Sequence, residues 1–450
     1  MNLRPYQQQA INDLRAAFRN GARAPLLVAP TGAGKTVIFS AIAKAIAAKG
    51  RNGLVLVHRR ELITQASRKL TDAGVAHGMI AAGMDGANAS IQVASVQTLI
   101  RRLQKITTPP DLIIIDEAHH AAAGSWQAII NHWPDVPLIG VTATPCRLDG
   151  KGLGNVFDTL IEGPSVQLLT SAGYLSPARI YAPPMVADLS GIKRRAGDYA
   201  IDQAADAMTR PTVTGDAIKH YRTLAGDQQA IAFCCSINHA VSVRDSFATT
   251  DISSELLLGN TSDRDAVVGR FANGETRILV TVDVVSEGFD IPAAGCAILL
   301  RPTQSLGLYL QQVGRVLRPA PGKVHAIILD HVGNVTRHGW PDDVRPWSLE
   351  HGAPRASGSA APSVRTCPEC FAAFKPAPIC PCCGAQCAAP PRELKQVAGE
   401  LQELKREGIR QRVKERKKAR TLPELLAVAK ERGYAPGWAH RVHNARQQRA

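Results

Sequence analysis

Three short segments, far apart along the chain, carry residue types that could bind and cleave a triphosphate. Residues 29–36 read Ala-Pro-Thr-Gly-Ala-Gly-Lys-Thr, residues 116–119 read Asp-Glu-Ala-His, and residues 311–318 read Gln-Gln-Val-Gly-Arg-Val-Leu-Arg. The first can wrap phosphates with backbone N–H groups, the second can hold Mg²⁺ and a water, and the third can supply two guanidinium groups. We expect the three segments to meet around one ATP molecule, with the third contributed by a separate lobe.

The glycine-rich segment lies between an apolar strand pattern and a helical pattern, which is the setting of a phosphate-binding loop. Its predicted phosphate contacts are Thr31, Gly32, Ala33, Gly34, Lys35 and Thr36. Lys35 would reach the β- and γ-phosphate oxygens, and the Thr36 hydroxyl would ligate Mg²⁺. Ala29 stands where the general pattern has its first glycine, and a small residue suffices there.

Two adjacent carboxylates follow the apolar run 112–115, which places them at the carboxyl edge of a sheet, where α/β proteins bind ligands. Asp116 is the expected partner of Mg²⁺ through a water, and Glu117 is the expected base that orients and deprotonates the attacking water. The alternative is that the two carboxylates only cap the next helix.

Two arginines at positions i and i+3 face the same way on a helix. Arg315 and Arg318 have this spacing and could stabilise charge on the transferred phosphoryl group, whereas the alternative is a solvated basic face. Considering all three segments together, we predict the catalytic set to be Lys35, Asp116, Glu117, Arg315 and Arg318.

Short aliphatic runs alternate with helical patterns in two parts of the chain. The runs are residues 25–29, 53–57, 91–94, 112–115 and 137–142 in the first part, and 229–233, 255–258, 277–281, 296–300 and 325–329 in the second. Nearly continuous apolar strands between helices indicate parallel sheets covered on both faces. The sequence therefore predicts an α/β protein with lobes at 1–165 and 211–345, a connector at 166–210, a linker at 346–366, a cysteine module at 367–387 and a basic helical tail at 388–450.

Six of the ten cysteines lie within residues 367–387, and four of them form two pairs that suit tetrahedral Zn²⁺. The predicted ligands are Cys367, Cys370, Cys380 and Cys383. Cys382 and Cys387 are spare thiols, either of which could replace Cys380 or Cys383. A closed site of four thiolates would be structural or would serve DNA contact, and a disulfide-linked or reactive cluster is the alternative.

The chain carries a formal net charge of +15, which points to a polyanionic partner. Residues 391–450 hold 16 Lys and Arg against 7 Asp and Glu, so a phosphate-binding helix near 403–420 is expected, with a solvated tail as the alternative. Tyr434 and Trp438 could stack on bases or simply pack the last helix. The start of the chain has no signal-like apolar region and no apolar run is long enough to span a membrane, so we expect a cytoplasmic protein without membrane contact.

Taken together, residues 1–340 resemble the superfamily-two helicases of the DEAH-box kind. Residues 3–7 resemble the adenine-reading Q motif, 56–62 motif Ia, 93–99 motif Ib, 142–145 motif III, 280–292 motif V and 311–318 motif VI. The resemblance implies two tandem RecA-like lobes, ATP and Mg²⁺ as cofactors, and nucleic-acid backbone contacts from motifs Ia and Ib. It also implies that Gln7 and its neighbour Arg4 meet the adenine and that Gly288 and Asp290 lie at the nucleotide.

Two departures from the commonest motif VI favour DNA over RNA as the track. Gln312 and Leu317 replace an arginine and a glycine of a form found largely in RNA helicases. The opening residues 3–7, the stretch 329–334 and the Zn²⁺ module are similar to RadD-type DNA-repair proteins of bacteria and prophages. We therefore expect an ATP-dependent helicase or translocase that acts on single-stranded or forked DNA and has proteins of the repair machinery as further partners. The alternatives are an RNA helicase or a zinc-containing adaptor with weak motor activity.

Overall fold

The described part of the chain comprises two α/β lobes, a cysteine module and part of the C-terminal tail. The structure is a computed structural model that describes residues 2–58, 60–86, 89–145, 152–182, 194–195, 198–200, 204, 217–282, 294–350, 364–387, 421–431, 439–440 and 442–443. The lobes and the cysteine module belong to one compact unit, residues 1–388, and residues 389–450 form a second unit.

The first lobe is built around an eight-stranded sheet. Its strands are β1 (Pro25–Val28), β2 (Gly53–Val57), β3 (His77–Ala81), β4 (Met84–Asp85), β5 (Ile91–Ser95), β6 (Leu112–Asp116), β7 (Leu138–Thr142) and β8 (Thr159–Glu162). Its helices are α1 (Pro5–Arg19), α2 (Lys35–Ala47), α3 (Arg60–Asp72), α4 (Val96–Leu99) and α5 (Gly124–His132), with 3₁₀ turns at Leu103–Lys105 and Ala118–His120.

The strand order of this sheet is β4-β3-β5-β2-β6-β7-β1-β8, and every neighbouring pair is parallel except β3 with β4. The central strands β1, β2, β6 and β7 are buried along their whole length. Because β6, β7 and β1 are neighbours, the segments that follow them share one edge of the sheet. This edge carries the phosphate loop, the Asp116–Glu117 pair and the threonines of residues 142–145.

The second lobe follows the short helix α6 (Val166–Ser171). Its strands, with those of a small hairpin, are β9 (Ala178–Tyr181), β10 (Arg194–Arg195), β11 (Asp198–Tyr199), β12 (Ala230–Phe233), β13 (Ser254–Leu257), β14 (Ile278–Thr281), β15 (Cys296–Leu299) and β16 (Ala326–Asp330). Its helices are α7 (Ile237–Ala248), α8 (Arg264–Ala272), α9 (Leu306–Val316) and α10 (Asn334–His338), with a π-helical turn at Tyr221–Ala225. The sheet is fully parallel, in the order β13-β14-β12-β15-β16-β9.

These two sheets confirm the α/β fold predicted from the sequence, and each is covered by apolar residues on both faces. One strand lies outside the lobe boundary that we expected. β9 falls in the predicted connector 166–210, yet it pairs with β16 and completes the second sheet. The connector thus supplies a structural edge of that lobe.

The cysteine module continues the second lobe. A hairpin of β17 (Arg365–Thr366) and β18 (Ala373–Phe374) lies beside β9, and the backbone N–H of Ala182 donates to the carbonyl of Phe371 at 3.0 Å. Cys367 and Phe374 belong to the same buried cluster as lobe residues such as Leu329. The module is therefore packed onto the lobe's core.

The chain returns to the first lobe before it reaches the module. The guanidinium of Arg345 donates to the carbonyls of His338 (3.2 Å) and Trp340 (2.6 Å), which holds this turn on the second lobe. Leu349 then packs on the core of the first lobe, and its carbonyl accepts the Gly154 N–H at 2.8 Å. The start of the predicted linker 346–366 thus bridges the two lobes.

In the second unit, α11 (Leu422–Glu431) buries Leu425 against Ala439. This helix matches the amphipathic pattern of the sequence, whereas the basic stretch 403–420, Tyr434 and Trp438 lie outside the described residues. Among the described helices, none combines the length and apolar character needed to cross a membrane.

Candidate functional site

The glycine-rich loop joins β1 to α2 and takes the shape expected of a phosphate cradle. Gly32 and Gly34 have φ angles of +91° and +77°, a region that residues with a Cβ seldom occupy. Gly34 is the N-cap of α2, so Lys35 and Thr36 begin the helix and their N–H groups open toward the loop. An anion in the loop would meet the positive end of the helix dipole.

Side chains of the N-terminal segment form hydrogen bonds with this loop. The side chains of Tyr6 and Gln7 both donate to the carbonyl of Ala33, at 3.0 and 3.2 Å. The Arg4 guanidinium lies over the ring of Tyr174, 4.5 Å from its centroid. The structure therefore places Gln7 at the phosphate loop and Arg4 beside Tyr6 and Tyr174, and contact of Gln7 and Arg4 with adenine stays a prediction.

Asp116 and Glu117 occupy the end of β6, and both are buried. Glu117 has a φ of +47°, which is strained for a residue with a side chain, and its N–H donates to Oδ1 of Asp116 at 3.0 Å. Burial and the neighbouring Glu117 raise the pKa of Asp116 to about 7, and Lys35 opposes that shift. Two close carboxylates in a dry site favour a bound cation.

Lys35 lies close enough to charged side chains of both lobes for their charges to shift its pKa. Its Nζ donates to the carbonyl of Ala29 at 3.3 Å. Burial lowers the pKa of Lys35, the two carboxylates oppose this shift, and Arg315 and Arg318 reinforce it. The five predicted catalytic residues are thus brought together, three from the first lobe and two from the second.

The two arginines reach this place because α9 packs directly on the phosphate loop. A Cβ added at Gly314 would overlap the Thr31 side chain, and one added at Gly32 would lie 3.6 Å from Cγ of Arg318. Arg315 is buried, and burial lowers the pKa of Arg318 to about 10. Glycines on both sides of the interface therefore allow the lobes to close on each other.

A series of contacts through His119, Thr142 and Thr144 leads from Glu117 to the second lobe. His119 Nδ1 lies 3.5 Å from Glu117 Oε2 and 3.2 Å from Thr142 Oγ1. The Thr142 hydroxyl donates to the carbonyl of Thr144 at 2.9 Å, so it accepts from His119, whose proton is then on Nδ1. A Cβ at Gly307, in the first turn of α9, would lie 2.9 Å from Oγ1 of Thr144.

A second set of contacts runs the other way along the sheet edge. The His120 ring lies 4.2 Å from that of His119 and stacks on His58, with centroids 4.5 Å apart. His58 Nδ1 lies 3.4 Å from Nε2 of Gln97, whose amide oxygen accepts from Ser95 at 2.8 Å. We did not predict this stack, although His58 and His120 each follow a strand end in the sequence.

The four predicted Zn²⁺ ligands converge on one point. The Sγ atoms of Cys367, Cys370, Cys380 and Cys383 lie within 4.8 Å of one another. Two of the Sγ–Sγ distances, Cys367 to Cys383 and Cys370 to Cys380, are 3.6 Å, close to the ~3.8 Å edge of a tetrahedron with Zn–S bonds of about 2.3 Å. This donor set fits Zn²⁺, whereas Cys382 is exposed and Cys387 is buried outside the set.

Two further predicted nucleotide contacts, Gly288 and Asp290, lie outside the described residues. The neighbouring strand β14 is described, and it ends at Thr281 on the carboxyl edge of the second sheet.

Two family models match this chain. "Type III restriction enzyme, res subunit" matches residues 1–147, and "Helicase conserved C-terminal domain" matches residues 215–320. Together they cover more than half of the chain and correspond to its two lobes.

Three known proteins are similar over most of this chain. The "51.5 kDa protein" of a Lactococcus phage is 33% identical over 87% of this chain and 85% of its own. "Putative ATP-dependent helicase IRC3" of Saccharomyces cerevisiae is 34% identical over 74% of this chain, which spans about half (51%) of the yeast protein. "DNA 3'-5' translocase XPB2" of Sulfurisphaera tokodaii is 24% identical over 71% of this chain and 79% of its own.

Among solved structures, the Type ISP restriction-modification enzyme LlaBIII bound to DNA has a TM-score of 0.53 at 21% identity. The match covers 73% of this chain and 27% of that enzyme. At this level of identity the likeness concerns the fold of the two lobes.

Proposed function

This chain belongs to superfamily two of the helicases and is an ATP-hydrolysing enzyme, and we propose that it is a DNA helicase or translocase. One observation carries the proposal: two arginines of the second lobe and the Lys35, Asp116 and Glu117 set of the first share one closed site. Hydrolysis in such a site changes the contacts that hold two lobes together. A nucleic-acid strand bound across both lobes would then be moved.

The residues suggest a division of labour in the reaction. The phosphate loop and Lys35 would hold the triphosphate, and Glu117 would orient and deprotonate the attacking water. Thr36 and Asp116 would hold Mg²⁺, which when bound neutralises charge on the β- and γ-phosphates. Arg315 and Arg318 would stabilise the charge that develops on the transferred phosphoryl group, and Arg4 and Gln7 would face the adenine.

DNA is favoured as the track by three features. A net charge of +15 suits a polyanion, Gln312 and Leu317 depart from the RNA-type motif, and the archaeal relative is named a DNA translocase. We assign the chain to the RadD-like branch of DEAH-box proteins and to DNA repair or recombination. The support for this finer assignment is the cysteine module packed behind the second lobe and the sequence similarities of residues 3–7 and 329–334.

The decisive experiment compares ATP turnover with single-stranded, forked and duplex DNA and with RNA. We expect turnover to rise at least tenfold with single-stranded or forked DNA, and much less with RNA. Two salt concentrations separate specific stimulation from general binding to a basic surface. Equal or greater stimulation by RNA would indicate that RNA, and not DNA, is the track. Unchanged turnover with every nucleic acid would contradict the proposal that the protein is a nucleic-acid motor.

Replacement of Lys35 by alanine separates a motor from an adaptor. Loss of this cation from the phosphate loop should abolish ATP turnover and any strand displacement, and DNA binding without ATP should persist because the basic surfaces are unaltered. Lys44, further along α2, offers a matched control as Lys44→Ala. An adaptor with weak motor activity would retain its cellular function in the Lys35→Ala variant.

The histidine stack makes a separate prediction about coupling. His120 joins His119, beside the catalytic carboxylates, to His58 of the segment that resembles motif Ia. His120→Ala should lower the ratio of DNA-stimulated to unstimulated turnover about tenfold, within the usual range of coupling energies. His120→Phe, which preserves a stacking ring, should restore most of the ratio.

The exposed His132 of the same lobe supplies the control variant, His132→Ala. A ratio in the His120→Ala protein equal to that of the control would show that the stack does not transmit strand binding.

A further inference from the structure

The side chain of Lys323, which lies in none of the helicase motifs, holds the end of the helix that carries the arginine pair. A turn at residues 320–323 directs the chain back toward this helix. Gly322 has a φ of +74° there, and the Lys323 N–H donates to the carbonyl of Ala320 at 3.1 Å. Its Nζ then donates to the carbonyls of Val316 (2.6 Å), Arg318 (2.8 Å) and Ala294 (2.8 Å).

These three contacts use the full donor capacity of an ammonium group. Burial lowers the pKa of Lys323 to about 8, so the group still carries its protons at pH 7. The last carbonyls of a helix have no partners within the helix and carry partial negative charge, which a cation satisfies. Lys323 therefore caps the C-terminal end of α9.

Two of the three acceptors belong to the backbone beside the arginine pair. The Val316 carbonyl directly follows Arg315, and the Arg318 carbonyl belongs to the second arginine itself. The third, Ala294, precedes β15 and ties this end of α9 to a different part of the lobe. The backbone from 316 to 318 is thus tied to the segment before β15.

We propose that Lys323 is a positioning residue for ATP hydrolysis, which sets the place of the Arg318 guanidinium through the backbone carbonyls that it binds. The inference rests on the proposed role of Arg318 at the nucleotide. Groups that stabilise a transition state must be held within about 0.5 Å, and a misplacement of about 1 Å can cost on the order of 10²-fold in rate. Ground-state binding of ATP depends on the phosphate loop and is much less sensitive to this place.

The test is the steady-state ATPase of full-length Lys323→Met, with and without poly(dT). We expect kcat to fall on the order of 10²-fold in both conditions and the KM for ATP to change little. Lys323→Arg, which keeps a charged donor, should recover part of kcat. Lys219, an exposed lysine of the same lobe, provides the matched control Lys219→Met.

A double-mutant cycle excludes a merely structural role. If Lys323 acts through Arg318, adding Lys323→Met to an Arg318→Ala protein should lower kcat little further. Additive losses would overturn the inference while leaving the role of Arg318 intact. An Arg318→Ala protein with normal kcat would overturn both. A loss confined to the poly(dT)-stimulated rate, with the unstimulated kcat unchanged, would also overturn the inference, because a misplaced Arg318 should slow hydrolysis in both conditions.

A second variant keeps the test decisive if the methionine protein does not fold. Lys323→Gln retains two N–H donors but loses the positive charge and is shorter, so its kcat should fall below those of the native and Lys323→Arg proteins, again with little change in KM. A folded Lys323→Gln protein with native kcat would contradict the proposal.

Discussion

Replacing Arg315 by alanine is expected to lower ATP turnover by at least about 10³-fold, the lower end of what a missing arginine finger costs. Arg315 is buried at the contact between the lobes, where it shifts the pKa of both Lys35 and Asp116. A buried guanidinium interacts strongly with charge that develops on the phosphoryl group, because little solvent screens it. Single-turnover ATP hydrolysis under saturating DNA measures the effect.

ATP binding should persist in this variant, because the phosphate loop, Lys35 and the carboxylate pair lie on the other lobe. Binding of a fluorescent ATP analogue provides that measurement. Arg315→Lys should recover only part of the turnover, since an ammonium lacks the planar fork of donors. Arg270, which pairs with Glu255 on the surface of the same lobe, gives the control Arg270→Ala. Turnover within tenfold of native would remove Arg315 from the catalytic set.

We expect the cysteine module to hold Zn²⁺, and removal of this metal should destabilise the second lobe. A segment as short as 364–387 cannot bury enough apolar surface to stay folded by itself, so removing the metal unfolds it. Phe374 and Ala372 would then leave the cluster that they share with the lobe. We expect a loss of about 3 kcal/mol for side chains of this size, and a fall of about 6–12 °C in Tm.

The measurement is thermal unfolding of the full chain without nucleotide, before and after zinc chelation and in Cys380→Ser. Metal analysis should find one zinc per native chain and less in the variant. Cys382→Ser is the matched control, because this exposed thiol lies outside the set of four and should leave both zinc content and Tm unchanged. An unaltered Tm after complete zinc loss would show that the lobe does not depend on the module.

Much of the motor could be predicted from local patterns. All ten aliphatic runs that we singled out are strands, because a buried parallel strand needs a nearly unbroken apolar run and the runs here are short and bounded. Strands β3, β8 and β9, at or next to the edges of their sheets, escaped prediction because they are only partly buried and their sequences mix polar and apolar residues.

The paired cysteines illustrate the same division. Their C-x2-C spacing determined four candidate ligands, because two thiolates at that spacing can share one metal. The choice between Cys380 and Cys382 needed the fold, which brings the Sγ of Cys380 within 4.8 Å of those of the other three ligands and leaves Cys382 outside that set. The packing of the module on β9 also could not be inferred, since the two segments are remote in sequence.

The side chains that can do the chemistry are recognisable in the sequence. The phosphate loop, the carboxylate pair and the two arginines each depend on neighbours a few residues away. Their arrangement around one site depends on the fold. The close approach of Thr31 to Gly314, the stack of His58 on His120 and the cap that Lys323 places on α9 all join residues from different elements. Such contacts are products of chain folding, and no local spacing encodes them.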